Sequence, residues 1–284
     1  MEGEDNSYQV VGNADFIQIV NLMKDAKPFP HVLIWGPSGA GKTTIGKYIS
    51  NVVGSNVTSY YGPDLDRMTL SMILQSQWEN DVLIIDEIHG LSKGLLESIY
   101  QPLEEFQFKG MSLTPFTMIG ITTDLDSLPD ALQRRFRLVY RVQLYDTQEL
   151  MDVCFGLIKK EWFDDGIEAV AEMSRGSPGI VRNHLQLIES MFEIEKVDFE
   201  TVQHYQRLKH VNDIGLEEVD LEYLRVLRAY DVLSLSTLSS ILVEREKAIE
   251  GGIEPFLFRL GLVVKTSKGR QLTIKGQNYL RDLD

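Results

Sequence analysis

The chain has 284 residues and a formal net charge of −14, from 28 Lys and Arg against 42 Asp and Glu. The length allows one large domain or two to three smaller ones around a sizeable core. At 43% hydrophobic and 25% charged, the composition is that of an ordinary globular protein, while the carboxylate surplus argues against broad coating of nucleic acid and leaves a local basic face open.

No apolar run approaches the length of a membrane span, and the acidic start MEGEDNSYQV does not read as a signal peptide. The single Cys154 sits in a helical pattern and has no internal disulfide partner, so a reducing, cytoplasmic setting is expected. In chain order, Phe16, Ile17, Ile19, Val20 and Met23 share one side of a short helix that Pro28 and Pro30 end. Val32 to Trp35 reads as a buried strand. Gly36-Pro-Ser-Gly39-Ala-Gly41-Lys42-Thr43 then fits G-x-x-x-x-G-K-[ST] at every fixed position, and Thr44 onward has helix character. Glycines let backbone N–H groups wrap a polyphosphate at a helix N-terminus; Lys42 then reaches the β- and γ-phosphates and Thr43 holds Mg²⁺.

Residues 54–66 read as loop and 70–78 as helix. Asp81 to His89 is a continuous apolar strand ending in two carboxylates, as in a buried parallel strand whose C-terminal end lies at a site. Asp86 is placed to bind Mg²⁺ and Glu87 to polarise an attacking water. Residues 95–106 read as one helix, 107–115 as a short link, and 116–121 as a third apolar strand. It ends in Thr122-Thr123-Asp124, which suits either a γ-phosphate contact or an ordinary helix cap. Arg134 and Arg135 are either a source of an arginine finger or a solvated helix end. Residues 139–144 alternate toward a last strand.

Past Tyr145-Asp146 the pattern is helical to about His210 with no strand evident, and Asp146 or Thr147 suits a helix cap. From Gly215, three short helices precede a hairpin over 262–273 and a terminal helix, the outline of a winged-helix module. Residues 259–281 hold Arg259, Lys265, Lys268, Arg270, Lys275 and Arg281 and no acidic residue, which points to a DNA face or to a solvated basic face on a protein-binding module.

Together these motifs resemble the RuvB family of AAA+ ATPases over nearly the whole chain. The phosphate loop WGPSGAGKTT, Asp86-Glu87-Ile88-His89, Tyr100-Gln-Pro-Leu-Glu104-Glu105-Phe106, Pro115-Phe-Thr-Met-Ile-Gly-Ile-Thr-Thr123, Arg175-Gly-Ser-Pro178 and the wing Thr266-Ser-Lys268-Gly-Arg270 carry the resemblance. It implies an α/β fold: an AAA+ P-loop domain with a parallel sheet over 1–145, a small all-helical lid over 146–213 and a DNA-binding winged helix over 214–284. It implies ATP between Gly36, Gly39, Gly41, Lys42, Thr43 and Thr44, with Val11 and Gly12 at the adenine and Tyr145 touching nucleotide. Thr43 and Asp86 then hold Mg²⁺, Glu87 and Thr123 serve the water and γ-phosphate, and Arg135 reaches a neighbouring subunit's ATP in a hexameric ring. Lys268 and Arg270 are expected on DNA phosphates.

The chain departs from the family pattern at three places. The long hairpin that docks RuvA is cut to Gln107–Thr114, so a RuvA-type partner is not expected. Gly179 stands where the family has a second-sensor arginine, with Arg182 one turn further on. The family's basic N-terminal stretch has no counterpart. The expected function is an ATP-dependent ring motor of RuvB type that migrates or remodels duplex or four-way-junction DNA in recombination and repair. The alternatives are an AAA+ loader placing another protein on DNA, and a nucleotide-dependent scaffold with weak hydrolysis.

Overall fold

Strands that are apolar at every position need cover on both faces, and the first part of the chain supplies it. In the computed structural model, residues 10–54 and 56–283 are described; the acidic lead-in through Gln9, and what its sequence suggests about targeting, lie outside the described residues. The chain divides into two compact units, Met1–Leu157 with Gly176–Asn183, and Ile158–Arg175 with His184–Asp284.

The first unit runs α1 (Ala14–Met23), β1 (Val32–Trp35), α2 (Lys42–Val53), β2 (Val57–Tyr61), α3 (Arg67–Gln75), β3 (Val82–Asp86), α4 (Lys93–Ser98), α5 (Tyr100–Glu105), β4 (Gln107–Phe108), β5 (Met111–Ser112), β6 (Thr117–Thr122), α6 (Asp130–Gln133), β7 (Leu138–Arg141) and α7 (Thr147–Phe155). One sheet has the order β2-β3-β6-β1-β7, with every pairing parallel. Successive side chains alternate between its faces. Leu33, Leu83, Ile85 and Met118 join Leu70, Leu96 and Phe116 in one cluster. Val32, Ile34, Val82, Ile84, Ile119 and Ile121 join Phe16, Ile45 and Ile49 in the other. The parallel arrangement brings the C-terminal ends of β1, β3 and β6 to one edge.

Three local expectations change. The segment read as loop contains β2, a sheet-edge strand whose residues are mostly exposed, so it lacks the apolar run that marked its neighbours. The single helix over 95–106 is two, because Pro102 cannot donate to the carbonyl four residues back. The link after it is a hairpin of two residues per strand, pairing Gln107 with Ser112 and Phe108 with Met111.

The second unit begins with β8 (Glu161–Trp162) and α8 (Asp164–Met173), then carries α9 (Pro178–Met191) from His184 on, β9 (Lys196–Val197) and α10 (Phe199–Lys209). The expected absence of strands here is corrected. Glu161 pairs with Lys196 and Trp162 with Val197 in parallel, elements too short to show a period in sequence. The module that follows contains α11 (Glu218–Tyr230), β10 (Val232–Leu233), α12 (Leu235–Leu242), α13 (Glu246–Ala248), a π-turn over Ile249–Ile253, α14 (Glu254–Arg259), β11 (Val263–Thr266), β12 (Gly269–Leu272) and α15 (Ile274–Leu283). Its antiparallel sheet has the order β10-β12-β11, over a core that includes Tyr223, Leu227, Leu238, Leu257 and Leu280. Among the described residues no helix is long and apolar enough to cross a membrane.

Candidate nucleotide-binding site and wing

Gly36, Gly39 and Gly41 have φ of 146°, 73° and 89°, conformations that side-chain-bearing residues avoid. Gly41 turns the chain into α2, whose first residue is Lys42. Lys42 is only 6% exposed. Its Nζ donates to the carbonyls of Gly36 at 3.0 Å and Pro37 at 2.8 Å. Burial lowers its pKa, and the Glu87 and Asp86 carboxylates oppose that shift.

The Thr43 hydroxyl donates to Asp86 Oδ2 at 2.8 Å, and the Glu87 N–H donates to Asp86 Oδ1 at 2.9 Å. A hydroxyl from the start of α2 and a carboxylate from the end of β3 therefore meet at the sheet edge. Glu87 Oε2 accepts from the Thr123 hydroxyl at 3.1 Å and from its N–H at 3.3 Å. His89 Nδ1 lies 3.1 Å from the same oxygen and 2.9 Å from the Thr122 hydroxyl. Thr122 in turn donates to the Asp124 carbonyl at 3.0 Å. Thr122, the last residue of β6, braces His89, and Thr123, just past it, touches Glu87.

These groups border a cavity of about 1620 Å³ within the first unit, lined by Val11, Gly12, Gly39, Gly41, Lys42, Thr43, Thr44, Asp86, Glu87 and Tyr145. Tyr145 ties the loop to the N-terminal segment. A Cβ on Gly12 would lie 3.0 Å from its ring, and one on Gly41 would lie 3.3 Å from its hydroxyl. Burial pushes the Tyr145 pKa up to about 12, so its hydroxyl stays protonated. Gly36 and Thr123 are not in the lining; one carries a carbonyl that holds Lys42 and the other holds Glu87.

Sequence reasoning passed over Tyr61, Asp152, Phe155 and most of the Ser177–Arg182 stretch, which also line the cavity. Asp152 and Phe155 are three apart on α7, whose buried residues are Leu150 and Cys154. That spacing was the available signal. The Asp146 cap is present as a capping box with Glu149.

Arg135 does not line this cavity. Its guanidinium donates to Glu104 Oε2 at 3.0 Å and to the Ala131 carbonyl, and lies 4.3 Å from the centre of the Tyr100 ring. Its Nε is buried without a partner among the described residues.

Residues 11–142 match the family model described as the Holliday junction DNA helicase RuvB P-loop domain, and residues 213–281 match the RuvB C-terminal winged helix domain. The chain is similar to a protein of Campylobacter hominis named Holliday junction branch migration complex subunit RuvB, with 34% identity over 92% of this chain and 83% of that protein. The chain belongs to the RuvB family.

A second relative of the same name, from Rickettsia africae, is 34% identical over 88% of this chain and 80% of its own length. The solved structure of a Thermotoga maritima RuvB, titled a Holliday junction branch migration motor, superposes with a TM-score of 0.83 at 28% identity, covering 95% of each chain. This chain is accordingly a nucleotide-binding P-loop ATPase, an ATP-dependent motor of RuvB type with a C-terminal winged helix.

The RuvB-type wing requires a correction. Lys268 is exposed at the hairpin tip, next to the Thr266–Gly269 pair that closes it. Arg270 was expected beside it on DNA phosphates, but is 6% exposed. Its Nε donates to Glu254 Oε1 at 2.8 Å, and its terminal nitrogen donates to Glu250 Oε1 at 2.9 Å and Glu254 Oε2 at 3.2 Å. The Tyr223 hydroxyl adds a bond to Glu254 Oε1 at 2.9 Å. Arg270 therefore fastens the wing to α14 and the π-turn, and its charge is answered inside the module. Other members of the basic run are also engaged: Arg259 stacks on Phe256 and Lys275 donates to the Leu260 carbonyl.

Proposed function

We propose that this RuvB-family ATPase assembles as a homo-oligomeric ring, hexameric as in the resemblance, and uses ATP to migrate or remodel duplex or four-way-junction DNA. The observation that carries the proposal is the meeting of Lys42, Thr43, Asp86 and Glu87 at one cavity, with Thr123 on Glu87, in a chain 34% identical to subunits named for Holliday-junction branch migration.

The site's chemistry follows from its donors. Thr43 and Asp86 offer a hydroxyl and a carboxylate, hard oxygen ligands suited to Mg²⁺. When bound, Mg²⁺ neutralises charge on the β- and γ-phosphates. Lys42, released from the Gly36 and Pro37 carbonyls, turns to the phosphates. Glu87 takes the proton of the attacking water once it leaves Thr123, and Thr123 then faces the γ-phosphate. Val11, Gly12 and Tyr145 border the base and sugar. Arg135 serves a neighbour's ATP; its place outside its own chain's cavity supports that role.

We infer a P-loop domain over 1–145, a lid over 146–213 and a winged helix over 214–284. The matched segments 11–142 and 213–281 support its first and third parts. Lys268 is the wing's DNA-phosphate contact. The hairpin of Gln107–Phe108 with Met111–Ser112 is too small for RuvA-type docking, so the motor acts without a partner held there. We place it in the cytoplasm.

The test is the ATPase rate with and without four-way junction, duplex and single-stranded DNA, with mass measured in ATP. Stimulation by junction or duplex DNA and an ATP-dependent ring are expected. A monomer whose turnover ignores DNA contradicts the proposal.

A further inference from the structure

The turn before α9 is bonded to the phosphate loop by backbone. The Gly179 N–H donates to the Gly39 carbonyl at 2.9 Å, and the Ser177 hydroxyl donates to the same oxygen at 3.1 Å. A Cβ on Gly179 would lie 2.9 Å from Gly39 Cα and 3.2 Å from its carbonyl oxygen, with backbone rather than a movable side chain in the way. A side chain at 179 would therefore have to push the phosphate loop away at Gly39.

The cavity lining nonetheless offers a cation besides Lys42. Its lining carries Asp86, Glu87 and Asp152 against Lys42 and Arg182, while a nucleoside triphosphate brings several negative charges of its own. Arg182 is exposed, lines this cavity from α9 one turn past Gly179, and has no side-chain partner among the described residues. Among the described residues that line the cavity, Lys42 and Arg182 are the cations, and Lys42 is held by the Gly36 and Pro37 carbonyls.

We infer that Arg182 is the second phosphate-binding cation of this site, contacting the triphosphate of the bound nucleotide from a position that leaves the Gly179–Gly39 contact intact. This rests on the ATPase reading and adds the residue that distinguishes a triphosphate from a diphosphate. A guanidinium is suited to that task because it donates two parallel hydrogen bonds to phosphate oxygens.

Calorimetric titration of the full chain with ADP and with a slowly hydrolysed ATP analogue, each with Mg²⁺, tests it. Arg182→Ala should weaken the ATP analogue about tenfold, the loss of one charge-assisted contact, and ADP by much less. Arg182→Lys should recover part of the loss. Gly179→Arg should not rescue Arg182→Ala, because it pushes on Gly39. An unchanged ratio of ATP-analogue to ADP affinity in Arg182→Ala overturns the inference. If wild type binds both nucleotides and Lys42→Ala binds neither, that result sinks only the role of Arg182; if wild type binds neither, the ATPase reading itself fails.

Discussion

The phosphate site and the wing were both marked by short motifs rich in charge, and they use that charge in opposite ways. In the first unit the motif residues converge: Thr43 bonds Asp86, Thr123 bonds Glu87, and Lys42 is buried among backbone carbonyls. In the wing, the basic run is partly consumed. Arg270 is enclosed by Glu254 and Glu250, and Lys268 alone projects at the tip. The difference teaches that a motif fixing backbone geometry transfers to structure more directly than a count of like charges. Glycines at positive φ commit the loop to one shape, whereas an arginine binds whatever carboxylate the fold brings near.

Substitutions can break that comparison. The largest expected effect is Arg135→Ala, which should lower the steady-state ATPase rate about 10⁴-fold if the finger acts across a subunit boundary, with nucleotide affinity little changed. Glu104→Gln, which loosens the hold on Arg135, should change kcat and leave KM alone. Glu87→Gln should cost about 10³-fold in turnover while ATP still binds, the size of a lost general base. Single-turnover assays separate the two steps.

Arg270→Ala tests the other side. It strips a buried ion pair and leaves Glu254 unanswered, so denaturant titration should show a loss of about 3 kcal/mol. A loss of DNA affinity with unchanged stability would instead restore Arg270 to the DNA face.

A pH titration compares the units without mutation. Burial pushes the pKa of His31 in the first unit and His184 in the second down from 6.5 to about 4, with Arg137 and Lys209 adding to the respective shifts. The folded state therefore refuses protons that the unfolded chain accepts. Stability is full above about pH 6.5 and falls toward pH 4, by about 1 to 2 kcal/mol per histidine at pH 5. Urea midpoints at pH 7 and pH 5 measure it. The smallest effect belongs to Lys268→Ala: DNA affinity should fall a few-fold, the salt slope should drop by about one and stability should stay unchanged.

Much of the first unit was legible because its central strands β1, β3 and β6 are buried on both faces and its loops carry fixed spacings. What escaped has physical reasons. The edge strand β2 has no continuous apolar run, and the two-residue strands β8 and β9 are shorter than any period. The carboxylates around Arg270 lie 16 and 20 residues earlier on another element, where a linear count of charge misses them. The contribution of Ser177 and Gly179 to the cavity depends on a backbone contact with Gly39 that no local pattern announces.

The central claim is that the cavity built by Lys42, Thr43, Asp86 and Glu87 drives work on branched DNA. Its most direct test is migration of a synthetic four-way junction by the purified chain in ATP and Mg²⁺, with Glu87→Gln alongside. ATP-dependent migration by wild type, absent in Glu87→Gln, is the expected result. Migration that persists in Glu87→Gln, or a wild type that hydrolyses ATP on the junction without moving it, would contradict it.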